Sequence, residues 1–376
     1  MTDAENRRSE RARSEGARPA GEGSTGDDLE FRAMEANDAD LKLFHDCFVA
    51  NGSPRSIAML RWQYFTPPAG PLLVNLAITN TPDARLAAIY AVFPVYMRAG
   101  GKRVLAVQSL NTLTDVAFRG RGLFISMATA LYERAAKIGV ELVYGFPNGN
   151  SAHGIFKRLQ WDSLDPLPVL IRPLRTGYVL RKVRAGFLAR FFDFPLTFAS
   201  SPKLASGLEF RTVRNFDDAL SELWNVFATS VGFAIERDAQ YLAWRLQRPG
   251  ESYECFALYE HDQPIGLAII GSTMSSDGSR VGKLMDYYFL PTHTFAGELV
   301  VAEAMHRLKA RGCGVVWAWN FEHSANHAAL RASGFFTMSA KLQGAEGHVG
   351  ARAFTSLANI GDRKQWYISM LDSDTA

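Results

Sequence analysis

The chain has 376 residues, of which 47% are apolar and 21% charged, and its formal net charge is +3. That length allows two separately cored domains, the composition is that of a globular protein, and so small a charge gives no strong nucleic-acid field. Three cysteines, Cys47, Cys255 and Cys313, are odd in number and far apart, so buried thiols in a reducing compartment are expected rather than a disulfide frame.

Residues 1–28 are Arg, Glu, Gly, Ser and Ala with almost no large apolar side chains. They cannot bury enough surface to offset ordering and are read as a disordered tail. They carry no apolar signal core, and no run of about 18 apolar residues occurs anywhere, so no spanning helix is expected and the expected location is the cytoplasm. Leu29-Glu30-Phe31-Arg32 opens the ordered part, followed by a polar turn and a helix with Asp38 in its first turn. LRWQYFTPPAG, with Trp62, comes next.

The stretch from Leu110 to Trp161 carries the most information. It predicts a strand, a basic glycine loop (Arg119-Gly120-Arg121-Gly122), an amphipathic helix, a second strand (Leu142-Val143-Tyr144) and a second helix. Phe124, Met127, Ala128, Leu131, Ala135 and Ile138 recur at three- and four-residue steps, the spacing of one helix face. Gly139 stops that helix. Glycines let the backbone approach a ligand, and a helix N-terminus offers free N–H groups backed by the positive end of its dipole. With two arginines added, the pattern is that of a pyrophosphate site.

Leu170 to Gly207 is a connecting segment rich in cations, Leu, Val and Phe, with no acid before Asp193. Its plain reading is a connecting helix packed between the halves with its cations in solvent. The same composition admits a weak membrane-surface contact through residues 175–195. Leu208-Glu209-Phe210-Arg211 then repeats the opening tetrapeptide. Three further matches follow in the same order: a helix near Asp217, a segment with Trp244, and GVVWAWNFEHSANHAALRASGF against VELVYGFPNGNSAHGIFKRLQW. Four matches in register argue for an internal duplication. Where the first half has its glycine–arginine loop, the second has Pro291 to Gly297 and lacks the paired glycines and arginines.

The Leu110–Trp161 segment resembles the cofactor core of the GCN5-related N-acetyltransferase (GNAT) superfamily. The family signature, Gln/Arg-x-x-Gly-x-Gly/Ala, is met by Arg119 and Gly122, with Phe124 in place of the last small residue. The resemblance implies that the amides of Arg119, Gly120, Arg121, Gly122, Leu123 and Phe124 cradle the acetyl-CoA pyrophosphate. It implies that Thr112, Leu113 and Thr114 offer backbone groups to the pantetheine arm, and that Asn148 or Asn150 contacts it. Amides near Thr114 and Val116 would polarise the acyl carbonyl. Many relatives place a tyrosine acid where this chain has Phe156. His153, Asp115 and Gln108 are therefore the catalytic candidates, their plain alternatives being a surface or capping histidine, a turn carboxylate and a satisfied buried amide. Asn111, Asp286, Tyr287, Asp372 and Asp374 are further polar groups of interest.

The expected fold is α/β (α+β), two tandem GNAT-like domains, each a mixed, mostly antiparallel sheet flanked by helices. The expected limits are a tail at 1–28, a first domain with the acyl-CoA site at 29–170, a linker with a basic amphipathic helix at 171–207, and a second domain with a degenerate loop at 208–376. The expected function is transfer of an acetyl or other short acyl group from CoA to a primary amine of a small molecule or sugar, without nucleic acid. His323 and His327 share helical spacing without a third ligand in a known pattern, so no metal is expected. Two rival readings are a FemAB-like aminoacyl or long-chain acyl transferase and a non-catalytic acyl-CoA-binding protein. The oligomeric state is open.

Overall fold

The computed structural model describes residues 29–182, 187, 191–196, 201–275, 277–338 and 348–373. The expected tail, Asp374, and Arg184 and Arg190 of the basic segment lie outside them.

Two sheets form the molecule. In the first, β1 (Leu29–Ala33), β2 (Leu73–Thr79), β3 (Leu86–Ala99) and β4 (Lys102–Thr114) are antiparallel neighbours, and β5 (Val140–Gly145) lies parallel to β4. In the second, β8 (Leu208–Val213), β10 (Tyr253–Glu260), β11 (Gln263–Met274) and β12 (Arg280–Phe289) repeat the antiparallel run, and β13 (Val315–Trp319) lies parallel to β12. This is the mixed, mostly antiparallel α/β pair expected from the duplicated sequence. β3 is buried almost throughout because both faces of the sheet are covered.

Sheet membership does not follow the two halves of the sequence. The strand beside β5 is β15 (Gly350–Ala353), from the second half, with β6 (Asp162–Ser163) beyond it. The strand beside β13 is β7 (Val169–Pro173), from the end of the first half, with β14 (Phe336–Thr337) beyond it. The exchange is reciprocal. A third crossing strand, β9 (Phe233–Ile235), pairs with β3.

Past the short α5 (Thr176–Lys182) of the connection, the halves match helix for helix: α1 (Asp38–Ala50) and α2 (Ile57–Phe65) in the first, α6 (Asp218–Ala228) and α7 (Ala239–Arg245) in the second. All four are capped by a side chain: Asn37, Ser56, Asp217 and Asp238. Trp62 of α2 and Trp244 of α7 stack with centroids 4.4 Å apart. Each indole N–H donates to the other's backbone carbonyl, at 3.1 and 3.3 Å, the signature of an internal two-fold.

One apolar core, containing Phe44, Leu60, Trp224, Tyr288 and Leu371, runs between the halves. A second lies between the first sheet and α3 (Leu123–Lys137), a third between the second sheet and α8 (Thr294–Ala310). The end of the chain is locked into the centre. Arg237, fully buried, reaches Asp286 at 2.8 Å and Asp372 at 2.8 Å, while Arg245 donates to the carbonyls of Leu371 and Ser373. Burial and the charge of nearby Asp286 push the Asp372 carboxyl above the usual range, against the pull of Arg237.

Candidate functional site

β4 and β5 pair from Leu105 opposite Val140 to Ser109 opposite Gly145, and there they part. β4 continues to Thr114 against β3 alone. A bulge between Ile89 and Ala91 marks the bend, and Asn111 sits in it at φ 49°. Asn tolerates this left-handed conformation better than most residues. Its side chain is fixed from all sides: Arg55 Nε donates to Oδ1 at 3.1 Å, and Nδ2 donates to Gln63 Oε1 at 2.7 Å and Tyr64 Oη at 3.1 Å. β5 leaves through Phe146 and Pro147 into the short helix α4 (Gly149–His153), capped by Asn148. The fork so formed holds an open cleft of about 210 Å³, lined in part by Phe48, Arg55, Ser109, Leu113, Phe146 and Trp161.

The glycine–arginine loop lies at the mouth of this fork. Gly120 and Gly122 have φ of +80° and +75°, and no atom comes within 4 Å of where a Cβ would stand. The loop is left-handed and open to solvent, which only glycine allows without strain. Gly122 is also the N-cap of α3, and no side chain caps it. The amides of that first turn are available to an anion. Arg119 reaches only the Thr114 carbonyl, at 3.3 Å, and Arg121 lies 5.0 Å over the Phe118 ring. Neither pairs with a carboxylate among the described residues. Phe124, the departure from the small-residue pattern, turns its ring inward. It packs edge-on to Tyr90 at 5.6 Å and beneath Gly154, whose added Cβ would stand 3.1 Å from it.

The equivalent place in the second half is built differently. The N-cap of α8 is His293, and Glu260 stands 3.3 Å from its Nε2, setting a carboxylate where a phosphate would need to come. Gly297 lies inside the helix, where its missing side chain admits the Phe289 ring. β12 and β13 also part, after Leu284 opposite Ala318. Tyr367 closes that fork by donating to the Tyr287 carbonyl at 2.7 Å, and Asn326 donates to the same carbonyl at 2.6 Å. A cavity of about 320 Å³ remains there, lined by Phe227, Phe289, His323, Asn326 and Trp366 among others.

The sequence-predicted residues fall into two groups. Leu113, Thr112 and Asn148 line the cleft, Thr114 ends β4, and the loop from Arg119 to Phe124 leads from there into α3. Asn148 Oδ1 accepts from the amides of Asn150 and Ser151, each at 3.1 Å, so it orders the start of α4. Gln108 is buried below the fork, donating to the Asp372 carbonyl at 2.9 Å and accepting from Tyr144 at 3.1 Å. Asp115 accepts from the Ala117 amide at 2.8 Å and from Asn51 at 3.2 Å, holding the turn into the loop. His153 is exposed at the end of α4. Phe156 lies against β15, pressed on Gly350 and 6.0 Å from the His348 ring. His323 precedes α9 (Ala325–Ala332) rather than sharing a helical face with His327, and the described residues contain no cluster of three metal-ligating side chains.

Sequence reasoning missed Phe48, Arg55, Ser109 and Trp161. Arg55 comes from the loop between α1 and α2, and nothing in its local pattern marks it. Ser109 adjoins Gln108 on a strand already singled out, so its face was the available signal. Gly145 was also informative: its added Cβ would stand 2.9 Å from the Ser109 carbonyl oxygen, so only glycine fits at the root of the fork.

Comparison with known proteins bears on the fold. Residues 31–163 match the family model of the acetyltransferase (GNAT) domain. The fold is similar to Saccharomyces cerevisiae N-myristoyltransferase solved with bound myristoyl-CoA, with TM-score 0.59 and 14% identity over 90% of this chain and 85% of that one. It is similar to a GCN5-related N-acetyltransferase from Anabaena variabilis, with TM-score 0.59 and 14% identity over 86% of this chain and 72% of the other. A conserved Enterococcus faecalis protein described as a probable N-acyltransferase gives TM-score 0.59 and 11% identity over the same shares, 86% and 72%. No curated protein matches the chain in sequence.

Proposed function

We propose that this chain is a GNAT acyltransferase in tandem form and that it transfers an acetyl or other short acyl group from CoA to a primary amine. The observation that carries the reading is an open β4–β5 fork followed by an uncapped helix N-terminus, two left-handed glycines and two arginines that pair with no carboxylate among the described residues. The pyrophosphate would rest on the amides from Gly120 to Phe124 between Arg119 and Arg121. The pantetheine arm would run along Thr112–Thr114, with Asn148 and Asn150 beside it.

A cleft of about 210 Å³ favours a short acyl group. It is on the order of seven liquid-water volumes, and the end of the pantetheine arm must share it. The amine lone pair attacks the thioester carbonyl, the C–N bond forms, the C–S bond breaks, and the products are an amide and a free thiol. His153, exposed at the rim, is the proposed acceptor of the amine proton through water. Gln108 and Asp115 are proposed to position the fork and the loop through the contacts described above. The test is calorimetry with acetyl-CoA on the wild type and Gly122→Glu. Micromolar binding abolished by the substitution is expected, since a carboxylate would stand where phosphate must sit. Equal binding by both proteins, or binding by neither, rejects the site.

The connecting segment supports a further contact within this reading. Asp193 ties it down, pairing with Arg175 at 3.0 Å and accepting from the Gly177 amide at 3.1 Å. Yet Phe187, Phe191, Phe192, Phe194 and Leu196 are all exposed, Phe187 to 74%. Those exposed rings differ from the connection packed between the halves that composition first suggests, and they favour the membrane-surface contact through 175–195. Flotation of the full chain with anionic phosphatidylglycerol vesicles should carry the wild type upward and leave Phe187→Ser/Phe191→Ser behind. Equal flotation of the two, or none, removes this contact.

A further inference from the structure

The leaving sulfur needs a proton, and Phe156 cannot supply one. The structure assigns that role to Ser109, whose hydroxyl is aimed into the fork by a chain of buried donors running from Trp161 through Tyr132 and Tyr90. The inference rests on the acyl-transfer reading above and adds to it a catalytic residue.

The direction of the chain follows from its far end. Trp161 Nε1 lies 3.2 Å from Tyr132 Oη, and an indole N–H can only donate. Tyr132 Oη accepts that bond and keeps its own proton to give. Tyr90 Oη lies 2.5 Å away and takes it. The Tyr90 proton is then directed to Ser109 Oγ, at 3.1 Å. With one lone pair engaged, the Ser109 hydroxyl hydrogen has the cleft as its open side, since Ser109 lines it. Reversing either hydroxyl link would leave a phenol proton without its acceptor in a buried place, which is costly. Burial pushes the Tyr90 phenol up to about 12 and Tyr132 well above its ordinary value, so both keep their protons through the neutral range.

The geometry suits a leaving group at the fork. Ser109 is the last residue of β4 that pairs with β5, opposite Gly145. Trp161 and Ser109 both crowd Gly145, at 3.4 and 3.5 Å from where its Cβ would be, so the two ends of the chain meet at the root of the cleft. When the C–S bond breaks, the electron pair stays on sulfur. The Ser109 hydroxyl gives its proton to that sulfur as it takes one from a water in the cleft, and the hydroxide so left is neutralised by the proton that the amine releases. The proton lost by the amine balances the one gained by the thiol. Tyr90 and Tyr132 are positioning residues: they hold the serine in its donating orientation and are not consumed.

The experiment measures free-thiol release from acetyl-CoA across a panel of amines, with calorimetric binding in parallel. Ser109→Ala should lower kcat on the order of 100-fold while the acetyl-CoA Kd stays within about twofold. Ser109→Thr should restore most of the rate, and Tyr90→Phe should lower kcat about 10-fold with binding retained. With the selenoester analogue of acetyl-CoA, whose selenol is far more acidic and leaves without a proton, the Ser109→Ala defect should shrink toward none. An unchanged kcat in Ser109→Ala, a defect equal for thioester and selenoester, or a loss of binding matching the loss of rate would each overturn the assignment. Absence of thiol release by the wild type with every amine would instead overturn the acyl-transfer reading, and the acid role with it.

Discussion

Single residues in this protein show how much a contact depends on what stands across from it. Asp40 caps nothing outward; it turns back to Arg32, which grips it with two bonds of 2.6 Å, and it accepts the Glu35 amide at 2.8 Å. The Arg32 hydrogen bonds hold its carboxyl below the ordinary value of 3.8 despite burial. A folded-state value below the unfolded one adds stability above the unfolded pKa, lost as pH falls through the folded value. Asp40→Asn should therefore lower Tm at pH 7, and the gap to wild type should close as the pH is taken below about 4. A gap of constant size across that range would show that the pair acts by shape rather than by charge. Sequence could mark Asp38 as an acid in a first turn, because that depends on neighbours. It could not mark Asp40, whose partner sits on a strand facing the helix.

Elements were legible to the degree that their causes are local. The loop before α3 was readable because Gly120 and Gly122 must be glycine wherever such a turn occurs, and Gly139, at φ +86°, ends the helix as expected. The fork was not readable. It arises because β4 bulges at Asn111 and β5 stops pairing at Gly145, and the side chains that hold the bulge come from α2 and the loop before it. Asn148 joins the two levels, being a local cap that also lines the cleft. Asn148→Ala removes one acceptor from two amides and should cost about 1 kcal/mol of local order. On the acyl-transfer reading this appears as a several-fold weaker acetyl-CoA Kd by calorimetry, with Tm nearly unchanged because α4 is short. A large drop in Tm with unaltered binding would place Asn148 outside the site.

At the scale of the whole molecule the two halves are not separable. They exchange strands reciprocally, share a core, and enclose the final residues through Arg237 and Arg245. The tryptophan pair at the internal two-fold is buried or half-buried and contacts both sides. Trp244→Ala should cost about 3–5 kcal/mol, as for a large aromatic removed from a core. Calorimetry should show one unfolding transition in the wild type and one, shifted down, in the variant. Two resolved transitions in either would mean that each half folds on its own despite the exchange. The second fork shows what divergence did to a repeated frame: the strands still part after Leu284, but Tyr367 and Asn326 bind the freed carbonyl and Glu260 stands at the helix end.

The sequence alone determined the duplication, the mixed α/β class, the position of the glycine–arginine loop and the lack of such a loop in the second half. Each depends on residue type and short spacing, which a linear chain displays directly. Tertiary structure decided which strand neighbours which, where the cleft opens, and which side chains line it. Those rest on contacts between residues far apart in the chain, such as Ser109 with Tyr90 and Tyr132, Arg55 with Asn111, and Gln108 with Asp372. A tyrosine hydroxyl or a buried arginine carries no mark of its partner in sequence, because the partner is chosen by packing rather than by proximity along the backbone.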